Sequence, residues 1–360
     1  MTGSGAGSLS AAVQAGLAGV GLPSLSAGVQ RLMTAYRSGE VPAAPVMAAR
    51  VEAAAYAAYR MPATVAATGQ ALRELRQSLA TWTPRTLLDF GAGTGGAAWA
   101  VADQLPSVES MTLLEQSADA IRLGKAILAA AQAPSLRTAT WRPWQLPAGA
   151  AELVTSLASL GGDLTTASGS AGADLATAAY VLGELTPAQQ SALVALAAEA
   201  APAVLLVEPG TPAGHRRILA ARAQLLAAGY VVAAPCPHQL ACPLEVAGDW
   251  CHFGARLQRS AVHRQAKGAE LSYEDEKYSY VAAVRPDGLA VAVAAGRVVR
   301  RPQQRKGLVT LSLCARDGTI RPELVSKSKG EAYRQARKIS WGDRWPPANQ
   351  AGGGRNDASP

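Results

Sequence analysis

Ten consecutive residues limit what this chain can fold into more than any other stretch: Leu87-Leu88-Asp89-Phe90-Gly91-Ala92-Gly93-Thr94-Gly95-Gly96. The apolar run 86–90 reads as a buried strand, and a helical pattern follows through Leu105. Glycines between strand and helix let the backbone turn sharply and let a ligand lie close against it. Short apolar runs then alternate with helix-length segments. Strands are expected at 110–115, 174–181, 203–208 and 230–233, with helices at 117–131, 187–200 and 212–228. That alternation predicts βαβ units, a parallel sheet covered on both faces, and so an α/β, Rossmann-like fold.

Two ligand patterns fit the loop at once. Gly91, Gly93 and Gly96 satisfy the dinucleotide spacing G-x-G-x-x-G, while Asp89, Gly91, Gly93 and Gly95 satisfy the acidic-x-G-x-G-x-G spacing of S-adenosylmethionine enzymes. A pyrophosphate favours a helix N-terminus with no carboxylate beside it. S-adenosylmethionine brings an ammonium and a sulfonium, which Asp89 suits better. Glu115 ends the second expected strand, 26 residues after Asp89, where an acid can take ribose hydroxyls. The residues therefore favour an S-adenosylmethionine-dependent methyltransferase fold. The segment after the fourth strand, Thr177 to Leu185, lacks the Pro-Pro-aromatic loop of base amino-group methylation. Tyr180 or Glu184 could line a pocket there, but no catalytic residue is assigned.

Around this core (83–234) the chain changes texture. Residues 1–82 are Ala-rich and read as a frayed start through 22, then three or four helices broken at Pro42–Pro45 and Pro62. A Gly/Ser/Thr-rich loop is expected at 156–172. Residues 235–275 look like an insertion without a regular core. A last sheet strand at 277–284 and small β segments at 290–299 and 308–314 follow within 276–345, and 346–360 read as a disordered tail. No run of about 18 apolar residues occurs, so no membrane span is expected. The first ten residues lack the pattern of a signal peptide, so a cytoplasmic chain is expected, as a monomer.

The insertion carries Cys236, Cys242 and Cys251, and Cys314 follows on an expected strand. Three thiols within 16 residues of a Pro-rich loop are hard to explain as packing, because structural cysteines usually sit singly in strands or helices. Zinc favours close cysteine pairs, absent here, although His238 or His252 could complete a site. Four thiolates at wider spacing suit an iron–sulfur cubane. Either group would have a structural role, pinning the insertion onto the terminal sheet.

Charge separates the two halves. Residues 1–200 hold 11 Lys/Arg against 13 Asp/Glu, and residues 201–360 hold 23 against 13. The basic half interleaves Arg256, Arg259, Lys267, Arg297, Arg300, Arg301, Arg305 and Lys306 with aromatic residues. Basic and aromatic side chains together can meet phosphates and stack on unpaired bases, so RNA is the leading partner.

These residues also resemble a known family. Arg60-Met61-Pro62-Ala63-Thr64, the Leu88–Gly93 loop, Cys236-Pro237-His238, Cys242-Pro243-Leu244, Trp250-Cys251-His252-Phe253, Tyr273-Glu274-Asp275-Glu276-Lys277 and Arg337-Lys338-Ile339-Ser340-Trp341-Gly342-Asp343 are similar to the Rsm22 family. These are methyltransferase-like proteins of the small ribosomal subunit, found in yeast mitochondria and with bacterial members. The resemblance spans about residues 56–345. It implies an S-adenosylmethionine-type fold that binds the small ribosomal subunit and its rRNA during assembly. It further implies that Cys236, Cys242, Cys251 and Cys314 ligate a [4Fe-4S] cluster. Family members have been described as rRNA methyltransferases, but for the mitochondrial ones an assembly role is better supported than a defined methylation.

Overall fold

The computed structural model describes residues 8–38, 47, 49–146, 172–267, 270–287 and 289–347. Most of the expected loop at 156–172, the helix break at Pro42–Pro45 and the tail from 348 lie outside them.

Four helices lead in: α1 (Leu9–Gly16), α2 (Leu22–Ser38), α3 (Arg50–Tyr59) and α4 (Met61–Ser78). The start is not frayed throughout, contrary to expectation. Ser8 caps α1 by accepting from the Ala11 amide, and Ala12 and Val13 are buried. No described helix is long and apolar enough to cross a membrane.

The main sheet has the strand order β3-β2-β1-β4-β5-β8-β6. Its strands are β1 (Thr86–Phe90), β2 (Ser110–Glu115), β3 (Thr140–Pro143), β4 (Leu175–Ala179), β5 (Ala203–Pro209), β6 (Val231–Ala234) and β8 (Tyr273–Val284). β1 to β5 run parallel, and β8 is antiparallel between β5 and β6. Every residue of β1 and β4 is buried, as the unbroken apolar runs require of strands covered on both sides. This is a Rossmann-like fold, with strand order reversing between β1 and β4. A ligand site is expected outside the carboxyl ends of strands at such a point. Helix α5 (Gly96–Gln104) follows β1, and α6 (Ala118–Ala129) follows β2, capped by Ser117.

The insertion departs from expectation. It supplies β7 (Phe253–Gln258), which pairs with the first half of β8. Phe253, Ala255 and Leu257 point inward while Gly254, Arg256 and Gln258 face out. β8 starts at Tyr273, earlier than 277, so the boundary expected at 275 falls inside one strand. The C-terminal extension is a five-stranded sheet: β9 (Gly296–Val298), β10 (Gln303–Arg305), β11 (Leu308–Ala315), β12 (Ile320–Ser326) and β13 (Arg344–Trp345). Its small core holds Val298, Val309, Leu311, Leu313, Val325, Ala336 and Trp345. Of the strand expected at 290–299 only three residues pair in the sheet.

Candidate functional site

Gly91, Gly93 and Gly95 all adopt left-handed φ, at +67°, +57° and +91°. A Cβ on Gly91 would strike Val181 at 2.6 Å, so no larger residue fits there without displacement. Behind the turn, Asp89 is fully buried. Its Oδ1 accepts from Thr177 Oγ1 at 2.6 Å, while Oδ2 and the neighbouring Thr94 hydroxyl have no partner. Burial, with only a small contribution from Glu115, pushes the Asp89 carboxyl up to about 7. An orphaned acceptor with no cation beside it suits a positively charged ligand.

Glu115 stands where expected, yet both its oxygens already accept from backbone: Oε2 from Gly93 N at 2.9 Å and Oε1 from Ser117 N at 2.8 Å. Burial raises its carboxyl despite these bonds. The N-terminal region covers the loop. Met47 and Tyr56 stand 3.4 and 3.5 Å from where a Gly93 Cβ would be, and Ser117 Oγ donates to Met47 O. The five expected residues therefore come together, with Met47 and Tyr56 packed over Gly93.

The corner after β4, where a methyl acceptor would sit, is built from three distant parts of the chain. Tyr180 holds φ at +63°, an unfavourable conformation for an aromatic residue that costs roughly 1–3 kcal/mol. Its hydroxyl donates to Glu276 Oε1 at 3.0 Å, its ring lies under Arg60 at 4.9 Å, and Arg60 makes two hydrogen bonds to Glu276. The RMPAT and EDEK segments thus meet in one half-buried ion pair against Tyr180. Burial, followed by the Glu276 charge, drives the Tyr180 phenol well up, so it stays protonated and is no base.

All four cysteines, none in a disulfide, line one cavity, joined by residues unforeseen from sequence: His215 and Arg222 of the helix Pro212–Ala227. Burial first, then the neighbouring thiols, pushes Cys251 well up and Cys314 to about 12, and burial raises Cys236 against the opposing pull of Arg222. Cys314 Sγ lies 3.3 Å from His238 Nε2. Among the described residues, no three or more His, Cys, Asp or Glu groups are placed to hold a single metal ion. Three buried nitrogens of cavity-lining residues have no partner: Arg222 Nε, His215 Nε2 and His238 Nδ1. A [4Fe-4S] cluster spreads its ligands over four irons, and its sulfides accept hydrogen bonds, so the donor set fits. The space between the walls is about 30 Å³, so a cubane needs the Pro-rich loop to give.

The basic residues divide. Arg297 is not at the surface, a correction to its expected RNA contact. It is 1% exposed, pairs with Glu74 of α4, and donates to Pro235 O and Gly342 O. Arg344 joins the same carboxylate. Arg256 is held by Asp275, Arg259 and Lys267 by Glu274, and Arg300 by Asp249. Arg301 is 77% exposed, and Arg305 and Lys306 are exposed at the β10–β11 turn.

Comparisons with known proteins identify the family. A family model described as mitochondrial small ribosomal subunit Rsm22 matches residues 50–346. The human protein "Ribosome assembly protein METTL17, mitochondrial" is 27% identical over 309 residues, 81% of this chain and 62% of that protein. The "Rsm22-cox11 tandem protein 2, mitochondrial" of Schizosaccharomyces pombe is 30% identical over 182 residues, 40% of this chain and 24% of that one. The chain thus spans less than two thirds of either relative. A magnesium protoporphyrin IX methyltransferase from Synechocystis, solved with bound S-adenosylmethionine, overlaps at TM-score 0.38 and 13% identity, covering 62% of this chain and 80% of that one. The fold assignment rests on strand order rather than on that overlap.

Proposed function

The chain belongs to the Rsm22 family, and from that premise we propose that it binds the RNA of the small ribosomal subunit during assembly, using a methyltransferase fold as scaffold. The observation that carries this reading is the closed acceptor corner. Tyr180, Arg60 and Glu276 satisfy one another where a substrate base would have to enter, and Tyr180 cannot take a proton. The exposed Arg301, Arg305 and Lys306 would supply phosphate contacts.

The enzymatic alternative is favoured by one observation, the orphaned Asp89 carboxylate oxygen above an intact glycine turn. Asp89, Gly91, Gly93, Gly95 and Glu115 would hold S-adenosylmethionine, which supplies an electrophilic methyl group when bound. Comparing modified nucleotides and subunit assembly in cells with and without the gene separates the two. Accumulated assembly intermediates with unchanged methylation are expected. One missing methyl group would transfer the reading to catalysis, and intact assembly with intact methylation would remove both.

In the same proposal, Cys236, Cys242, Cys251 and Cys314 hold a structural [4Fe-4S] cluster. Its support is the meeting of four thiols at wide, irregular spacing on one cavity, a ligand set that the separated irons of a cubane accept. Metal analysis of anaerobically purified protein decides it: about four irons per chain, against one zinc.

A further inference from the structure

A second cleft, of about 480 Å³, opens between α4, the C-terminal end of α5, β7 and the Ser340–Asp343 turn. It is distinct from the glycine loop. That loop sits at the N-terminus of α5, and Asp103 lies seven residues along, roughly 10 Å away at 1.5 Å per residue. Its size falls within the usual range of small-ligand sites. The lining gives it a flat wall, a bare floor and a charged rim.

The wall is Trp341, whose indole N–H is shielded from solvent yet finds no acceptor. Its ring is braced edge-on by His252 at 4.7 Å, which stacks in turn on Trp250 at 5.3 Å. The floor includes two glycines. At Gly254 nothing lies within 4 Å of where a Cβ would stand, and at Gly69 only the flexible ends of Gln104 and Arg73 come near. Arg73 and Arg256 supply charge. Arg256 is already oriented by its two bonds to Asp275 and by the Tyr273 ring 4.5 Å beneath it.

A braced indole, the amides of Gln70 and Gln104 and the carboxylates of Asp103 and Asp343 for a base edge, and two arginines suit one chemical class: a planar nucleobase with its phosphate. We propose that this cleft takes a single unpaired nucleotide of an RNA strand, the base against Trp341 and the phosphate on Arg73 and Arg256. The inference rests on the reading that the chain binds RNA, and names where that binding recognises single-stranded character.

Gly254→Leu is the test. Gly254 is an outward-facing strand position without left-handed φ, and its open surroundings admit a side chain that fills the cleft without strain. Binding of the full chain to a labelled single-stranded RNA oligonucleotide, an RNA duplex of equal length and adenosine monophosphate is measured for wild type, Gly254→Leu and Trp341→Phe. Single-strand affinity should fall roughly 5- to 150-fold in Gly254→Leu, the worth of one base–aromatic stack. Trp341→Phe should fall less, and duplex affinity should hold with an unchanged melting midpoint. Equal single-strand binding by Gly254→Leu, or equal loss on duplex, overturns the nucleotide site while RNA binding stands. Wild type that binds only the mononucleotide overturns the strand assignment, and wild type that binds no RNA overturns the functional reading beneath it.

Discussion

The two halves of this molecule are held together by different means. In the Rossmann-like half, β1, β4 and β5 lie between two apolar layers. The C-terminal extension has a small apolar cluster of seven buried residues, and arginines tie it and the cysteine-rich loop down. Arg297 and Arg344 converge on Glu74, Arg222 holds the carbonyls of His238 and Leu240, and Arg300 holds Asp249. The main sheet has such ties too, Arg217 to Glu208 of β5 and Arg60 to Glu276 of β8, but apolar layers also hold it on both faces. The loop of prolines and cysteines depends more on them, and part of the positive charge that looked like a surface for RNA is spent inside.

Four perturbations sharpen that contrast. The largest effect is expected from metal loss: replacing Cys236, Cys242, Cys251 or Cys314 by Ser should lower iron content and loosen 235–345, since ligand binding there is folding energy. Hydrogen exchange should rise in β7 and β9–β13 and stay unchanged in β1, β2 and β4. Spread of the exchange into β1 would erase the distinction between halves.

Next comes Glu74→Ala, which strands two buried cations. It should cost about 3–5 kcal/mol in denaturant unfolding, with the extension releasing first.

A smaller, pH-dependent effect belongs to Asp89. Its carboxyl is raised in the folded chain from 3.8 to about 7, so the native state keeps a proton that the unfolded chain gives up between those values. The stability this lends is complete below pH 4 and is lost as pH rises toward 7, by at most about 1.4 kcal/mol per pH unit. Asp89→Asn should remove that slope, and a bound cationic cofactor should reverse the preference by drawing the carboxyl down.

The smallest effect on stability is predicted for Arg305→Ala with Lys306→Ala, within about 0.5 kcal/mol. The same pair should weaken RNA binding uniformly across sequences and flatten its salt dependence by close to one unit per lost phosphate contact.

How far the sequence revealed this structure follows the same division. The strands 86–90 and 110–115 and the helix 187–200 are where apolar runs and capping residues place them, because parallel-sheet burial leaves a local trace. Asp89, the three glycines and Glu115 meet for the same reason. The closed corner left none: Arg60, Tyr180 and Glu276 lie 120 and 96 residues apart, and only the sheet brings them together. β7 was legible in principle, since Phe253-Gly254-Ala255-Arg256-Leu257-Gln258 alternates inward and outward, but the cysteines and prolines around it mask the period. Arg297 could not be told from its exposed neighbours, because burial of an arginine depends on a carboxylate 223 residues away. His215 and Arg222 sit on a helix whose pattern says only that one face is buried.

On the proposed reading, the chain meets the small ribosomal subunit through its exposed basic residues and needs no methyl transfer to do so. The most direct measurement is sedimentation of the tagged full-length chain from cell extract at moderate salt, with probes for small-subunit RNA and its unprocessed precursor. The account predicts that the protein travels with precursor-containing small subunits and leaves them when Arg301, Arg305 and Lys306 are all replaced by Ala, while Gly93→Val leaves it bound. Protein that stays at the top of the gradient, or that is released by the Gly93 variant and retained by the triple one, would contradict it.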